Sequence, residues 1–350
     1  MSYIKPTFHH PSLKPNKVGY LKKDYEGVLS TLCAGCGHDS ISGAIVQACY
    51  EISLAPHRLV KLSGIGCSSK APTYFLSNSH GFNSVHGRMP SVATGANLAN
   101  RDLIYLGVSG DGDTASIGMG QFVHAIRRNL NVTYIVMNNG CYGLTKGQDS
   151  ATADYGSISK GGNPNPYQGI DLVSLALELN ASFVARSFSG DKGQLVPLLK
   201  AALAHKGFAF IDVVSPCVTF NNNEVSTKSY SFVRAHNEAT SEVDFVPEES
   251  EITVDYQAGT HTEVSLFDGS KIQLHKLANG WDPSDKFSVL QHLHECKMKG
   301  HIPTGLFYIN TQQADFHDIL NTCDVPLNRL RQESLCPGNA VLQEINQEFR

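Results

Sequence analysis

The chain has 350 residues, 41% of them hydrophobic and 17% charged, which is the make-up of a soluble globular protein with one large domain or two. A net charge of −4 at pH 7 gives it no field to hold a polyanion, so no nucleic acid partner is expected. The start, "MSYIKPTFHHPSLKPNK", lacks the apolar core of a signal peptide, and no run of about 18 apolar residues suggests a membrane span, so a cytoplasmic protein is expected.

Residues 1–20, with Pro6, Pro11 and Pro15, read as an extended arm. A helix follows in "DSISGAIVQACYEI", where Ile41, Ala44, Ile45, Ala48, Cys49 and Ile52 share a face and Asp39 or Ser40 would cap it. Then come a short strand "RLVKLSG", a helix "SVATGANLAN", a buried strand "DLIYLGVSG" and a helix in "GMGQFVHAIRRNL". The rhythm continues with strand "VTYIVM", helix "DLVSLALEL" capped by Asp171, strand "SFVAR", a helix from Asp191 to Gly207 and strand "FAFIDVV". Strands alternating with helices imply an α/β fold, a doubly wound, mostly parallel sheet. After about residue 235 the texture changes. "SEVDFVPEESEITVDY" is acidic, "TEVSLFDGSKIQLHKL" reads as a hairpin turning at Asp268-Gly269, and "SDKFSVLQHLHECKMKG" is helical. The expected organisation is an arm at 1–20, a catalytic-type domain at 21–235 and a C-terminal α+β extension at 236–350.

In an open parallel sheet, ligands gather beyond the carboxyl ends of the strands. Asp111 follows one strand and Asn139 follows the next, so their oxygens converge if those strands are neighbours. Carboxylate and amide oxygens suit a hard cation such as Mg²⁺, which shares its ligands with a phosphate. Gly110 and Gly112 allow close backbone approach, and the helix beyond offers its N-terminus to an anion. Either tripeptide alone, Gly-Asp-Gly or Asn-Asn-Gly, is more often a plain turn. Together, a strand–helix–strand unit apart, they are specific.

Nine cysteines is an odd count in a chain too long to need disulfide staples, which points to metal binding or chemistry. Cys33 and Cys36 sit in "CAGCGH", Cys67 follows a strand in "LSGIGCSSK", and Cys217 follows another in "VVSPCVTFNN". Four thiolates suit zinc or an iron–sulfur cluster, and spacing alone leaves zinc, cluster and unliganded thiols open. Cys49 reads as core. In the extension, His292 and Cys296 share a helix face that His294 does not, and Cys296, Cys323 and Cys336 read as surface or core residues.

"GDGD" followed by "NNG" resembles the thiamine-diphosphate motif. "CAGCGH", "IGCSSK", "HGRMPSVATGANLA", "GDGD", "NNGCYGLTKGQ" and "SPCVTFN" occur in the order seen in β subunits of 2-oxoacid:ferredoxin oxidoreductases, a resemblance covering roughly residues 25 to 235. It implies a fold of the thiamine-diphosphate-binding type. It also implies Mg²⁺ held by Asp111, Asn139 and the backbone carbonyl of Cys141, and a [4Fe–4S] cluster on Cys33, Cys36, Cys67 and Cys217. Gly37, His38, Gly66, Ser68, Gly110, Gly112, Asp113 and Thr145 would line the cofactor, and Lys70, His86, Arg88 and Leu144 would meet substrate.

The family reaction is coenzyme A-dependent oxidative decarboxylation of a 2-oxoacid, with single electrons passing through the cluster to ferredoxin. The carboxylate expected against the cofactor's aminopyrimidine is missing here, so an α subunit should complete the site, in a dimer of heterodimers. Lys70, just beyond a strand on the cofactor edge, favours 2-oxoglutarate, whose second carboxylate it would hold. The same chemistry on pyruvate or a branched-chain acid is one enzyme alternative, a cluster-free thiamine decarboxylase, against which the four cysteines argue, is another, and a non-enzymatic iron–sulfur electron carrier is the alternative outside enzymes.

Overall fold

The five apolar runs read as strands lie side by side and parallel. In the computed structural model, which describes residues 13–158, 163–223, 225–240, 261–265, 271–275, 282–336 and 338–349, they are β1 (Leu59–Ser63), β3 (Ile104–Gly110), β4 (Val132–Asn138), β7 (Phe183–Phe188) and β8 (Phe208–Val214). The remaining strands are β2 (His80–Asn83), the two-residue β5 (Cys141–Tyr142) and β6 (Gln148–Asp149), β9 (Asn237–Ala239), β10 (His261–Ser265), β11 (Lys271–His275) and β12 (Ile302–Ile309). An eight-stranded sheet runs β2-β1-β3-β4-β8-β7-β12-β9, with β12 alone antiparallel to its neighbour β7. The antiparallel pairing of β10 with β11 fits the expected hairpin, whose turn lies outside the described residues, as do most of the arm and the acidic stretch.

Seven helices matter here: α1 (Gly37–Glu51), α2 (Met89–Ala99), α3 (Met119–Arg127), α4 (Leu172–Glu178), α5 (Lys192–Ala204), α6 (Tyr230–His236) and α7 (Lys286–Met298). Asp171 and Asp191 cap α4 and α5 through their carboxylates, as their sequence positions suggest. The start of α1 differs from expectation. It begins at Gly37 with Cys36 as cap, because the Gly37 amide donates to the Pro216 carbonyl at 3.3 Å and draws the turn in ahead of Asp39.

The alternation of each central strand divides it between two cores. Ile135 and Met137 of β4 join Ile211 and Val213 of β8 on the face covered by α1 and α5. Tyr134, Val136, Phe208 and Phe210 join Phe122 of α3 on the other face, where the Phe122 ring lies 5.3 Å from Tyr134 and 5.2 Å from Phe210. Buried Lys61 of β1 donates to the carbonyls of Pro72, Phe75 and Leu76 at 2.7, 2.8 and 3.0 Å, pinning the end of the turn that follows Cys67. Among the described residues no helix is long and apolar enough to cross a membrane.

Candidate active site

β3 and β4 are neighbours, with Gly110 opposite Met137, so Asp111 and Asn139 emerge together. The Asn139 amide donates to Asp111 Oδ1 at 3.2 Å, and the Cys141 amide donates to Asn139 Oδ1 at 3.0 Å. Asp111 is 1% exposed. Its Oδ2 accepts a hydrogen bond from Ser150 Oγ and lies 2.8 Å from Thr152 Oγ1, which is also 3.0 Å from Asn138 Oδ1. Burial pushes the Asp111 carboxyl up, against the pull of these hydrogen bonds and of the Lys228 ammonium. Neutral N–H and O–H groups are its direct partners, so a divalent cation would supply the compensation that a buried carboxylate calls for.

Gly112–Ile117 forms a turn of π-helix instead of the expected α-helical start, closed by the Gly118 amide on the Asp113 carbonyl at 2.8 Å. Glycine is required at 112, since a Cβ there would stand 2.4 Å from the Tyr142 ring. Asp113 has both oxygens engaged by protein. Oδ1 accepts from the Gly87 amide at 2.8 Å and lies 3.3 Å from His86 Nδ1, while Oδ2 accepts from Ser109 at 3.0 Å. Asp113 thereby ties the His86–Gly87 loop to the end of β3.

One cleft gathers most of the expected residues: His38, Gly66, Cys67, Ser68, His86, Gly110, Asp111, Gly112, Asp113, Asn139, Cys141, Leu144 and Thr145 line it. His38 is buried, its Nδ1 is 2.6 Å from Ser215 Oγ, and burial holds its pKa down to about 4, so the imidazole is neutral near pH 7. Gly37 packs too closely for a side chain, a Cβ there lying 2.6 Å from Ser215 Oγ. Leu144 (50% exposed), Thr145 and His86 form the open lip. Three residues expected to meet cofactor or substrate lie outside the lining, Gly37 at the start of α1 being one. Lys70 does not face the cleft, because the turn Ser68–Tyr74 sends Ser68 inward and Lys70 outward to solvent. Exposed Arg88 is likewise outside the lining, its Nη1 donating to Gln121 at 3.0 Å. A larger cavity of about 290 Å³ lies on the other side of Asn138 and Thr152, with Arg186, Asp212 and Lys228 in its wall.

Cys33, Cys36, Cys67 and Cys217 converge beside the cleft. Burial, then the proximity of Cys217, Cys67 and Cys33, raises the Cys36 thiol to about 11. The Cys141 thiol donates to the Cys217 sulfur and, with the amides of Phe220, Thr219 and Asn221, brings Cys217 down to about 6 against the opposing effect of burial. A Cβ on Gly143 would stand 3.4 Å from Cys67 Sγ and 3.7 Å from Cys217 Sγ, so glycine keeps the space between these sulfurs clear. Tetrahedral zinc would hold thiolates about 3.8 Å apart. Among the described residues no three of these sulfurs fall within 4.8 Å of one another, a wider spread that suits a cluster, in which each thiolate meets its own iron.

Sequence reasoning did not reach Ser150, Thr152, Tyr142, Ser215 or Asn221, whose Nδ2 donates to the Asn139 carbonyl at 2.8 Å. These residues lie in loops or, for Tyr142, in a two-residue strand, without periodic spacing, and only the Asp111–Asn139 pair could have drawn attention to hydroxyls shortly downstream.

Residues 64–213 match the C-terminal TPP-binding domain of thiamine pyrophosphate enzymes. A 2-oxoacid:ferredoxin oxidoreductase β subunit of Saccharolobus solfataricus is 44% identical over 199 residues, 57% of this chain and 65% of that one. The 2-oxoglutarate synthase subunit KorB of Methanocaldococcus jannaschii is 38% identical over 215 residues, 60% of this chain and 75% of that one. This chain belongs to the β-subunit family of 2-oxoacid:ferredoxin oxidoreductases. Within the family, the matched stretch spans 65% of the length of the Saccharolobus relative. The solved 2-oxoglutarate:ferredoxin oxidoreductase of Magnetococcus marinus, with 2-oxoglutarate, coenzyme A and succinyl-CoA bound, superposes with a TM-score of 0.70 at 29% identity, covering 89% of this chain and 91% of that one.

Proposed function

We propose that the chain is the β subunit of an enzyme that converts 2-oxoglutarate and coenzyme A to succinyl-CoA and CO₂ and hands electrons singly to ferredoxin. The observation that carries this reading is the meeting, at one sheet edge, of the Asp111–Asn139 pair with four converging cysteines. Thiamine diphosphate, when bound, supplies a nucleophilic carbon and an electron sink for decarboxylation. Asp111, Asn139 and the Cys141 carbonyl would hold Mg²⁺ and through it the diphosphate, while Ser150 and Thr152 orient the Asp111 carboxylate. His38, neutral and held by Ser215, offers the cleft a hydrogen-bonding group without a charge. Cys33, Cys36, Cys67 and Cys217 would carry a [4Fe–4S] cluster, and exposed Cys33 puts that site within reach of an external electron carrier.

A second chain is part of the proposal. The carboxylates in the cleft wall, Asp111 and Asp113, are both engaged by protein donors, so neither is left for the aminopyrimidine. The lip is exposed and partly apolar at Leu144 (50% exposed), and the His86–Gly87 loop adds Val85 (70%) with Ile117 (43%) next to Gly87. An α subunit seated there would supply the missing acid, contribute to coenzyme A binding and roof the site, as a dimer of heterodimers. Lys70, which has no ion-pair partner among the described residues, would turn from its outward position toward the cleft on assembly and meet the far carboxylate of 2-oxoglutarate. The test is anaerobic co-purification with the α subunit, analysis for iron, sulfide and thiamine diphosphate, and turnover of a 2-oxoacid panel. Cofactor and cluster with highest kcat/KM on 2-oxoglutarate are expected, and a protein that binds neither would overturn the reading.

A further inference from the structure

At the edge of the sheet away from the cleft, β9 pairs with β12 alone among the described residues, over Asn237–Ala239, and α7 packs nearby. His292 and Cys296 stand one helical turn apart on α7, and Glu238 of β9 meets them. Cys296 is 1% exposed. Its Sγ lies 3.5 Å from His292 Nε2 and 4.0 Å from Glu238 Oε2, and the three ligand atoms all fall within 4.8 Å of one another. A tetrahedral zinc ion with ordinary bond lengths sets sulfur–nitrogen and sulfur–oxygen edges of about 3.6 Å. The observed triangle is already close to that size.

From this geometry we propose that Glu238, His292 and Cys296 form a zinc site, independent of the cleft and of the four cysteines beside it. Thiolate, imidazole and carboxylate together form a donor set suited to zinc, and too soft for magnesium or calcium. Three protein ligands leave the fourth position to water. His301 Nδ1 lies 2.6 Å from the same Glu238 Oε2, the kind of outer hydrogen bond that orients a ligating carboxylate. His294, between the two helical ligands in sequence, is exposed and takes no part. The ion would fasten a three-residue edge strand to α7, joining ligands 54 positions apart (292 − 238 = 54) and so closing a long stretch of chain.

The test is metal analysis of the full-length protein, purified anaerobically from zinc-supplemented medium, with zinc and iron counted in one sample. About one zinc per chain is expected, retained in Cys217→Ser and lost at least tenfold in Cys296→Ala and His292→Ala with iron unchanged. Cobalt exchanged for zinc in protein whose iron content is unchanged should give a thiolate charge-transfer band that is absent from Cys296→Ala. Should either alanine variant misfold, Glu238→Gln on the half-exposed side is the check, with zinc affinity expected to fall about tenfold or more. Less than a tenth of an equivalent of zinc in the parent after zinc titration would overturn the site. So would zinc that persists in both alanine variants, or an unchanged affinity in Glu238→Gln.

Discussion

The main-chain amide of Asn139 donates to Oδ1 of Asp111 at 3.2 Å, so a hydrogen bond within the protein fastens two adjacent strand ends to each other. That separates folding from loading. Asp111→Asn keeps the size of the side chain and one acceptor oxygen for the Asn139 amide, turns the other into an N–H donor that the Ser150 and Thr152 hydroxyls can accept, and removes the charge. The fold should persist, with thiamine diphosphate affinity in the α–β complex reduced at least ~10-fold in the presence of Mg²⁺. Isothermal titration decides it, and an unchanged affinity would remove Asp111 from the metal site.

Cysteine replacement should sort the thiols by place. Cys217→Ser exchanges the thiolate held by the Cys141 thiol and three amides for a harder ligand, and iron content and the low-temperature EPR signal of the reduced protein should fall. Cys49→Ser, in the core beside α5, and Cys296→Ser, at the far sheet edge, should leave iron unchanged. Iron lost from Cys296→Ser and kept in Cys217→Ser would reverse the assignment.

Lys70 carries the substrate question. Exposed in this chain, it becomes a specificity residue only when another surface covers it. In the assembled enzyme Lys70→Ala should raise KM for 2-oxoglutarate about 10-fold more than KM for pyruvate, the worth of one charge-assisted contact. Equal losses on both acids would show that Lys70 serves a shared group or the neighbouring Cys67.

His205 gives a pH signature. Its ring is half-buried, its Nε2 lies 2.8 Å from Ser182 Oγ, and loss of water contact lowers its pKa from 6.5 to about 4. The unfolded chain therefore binds the proton first as pH falls, and this contribution to stability is present above about pH 6.5 and lost on the way to pH 4. Thermal melts of His205→Gln should fall less steeply across that window than those of the parent. Parallel slopes would assign the acid sensitivity elsewhere, His38 being the other histidine with a pKa near 4.

The central strands and their helices were readable because each buried face repeats every two residues or every three to four. Asp111 and Asn139 were readable because strand ends in a parallel sheet share an edge. Other features depend on partners distant in sequence. β2 is four exposed residues, visible only once β1 lies beside it. β12 was not anticipated either, since Pro303 and the irregularity between Leu306 and Tyr308 break its alternation. The outward turn of Lys70 follows from the 3-10 turn Ser68–Tyr74, a conformation that small residues around a proline do not announce. Glu238 meets Cys296 across 58 positions, and no local pattern records such a meeting.

The pairing of β12 with β7 bears on how the chain is made. On the ribosome β7 is finished at Phe188, but its outer neighbour ends at Ile309, a further 121 residues downstream (309 − 188 = 121). At ordinary translation rates that interval lasts roughly 6–24 s. Once β8 is complete at Val214 and joins β7 to β4, the outer rim of an otherwise assembled sheet keeps its amides and carbonyls unpaired until β12 arrives, open to strands from neighbouring nascent chains. Slow synthesis across residues 189 to 309 would lengthen that exposure, so codon usage in this part of the gene should affect soluble yield more than the same change beyond residue 309.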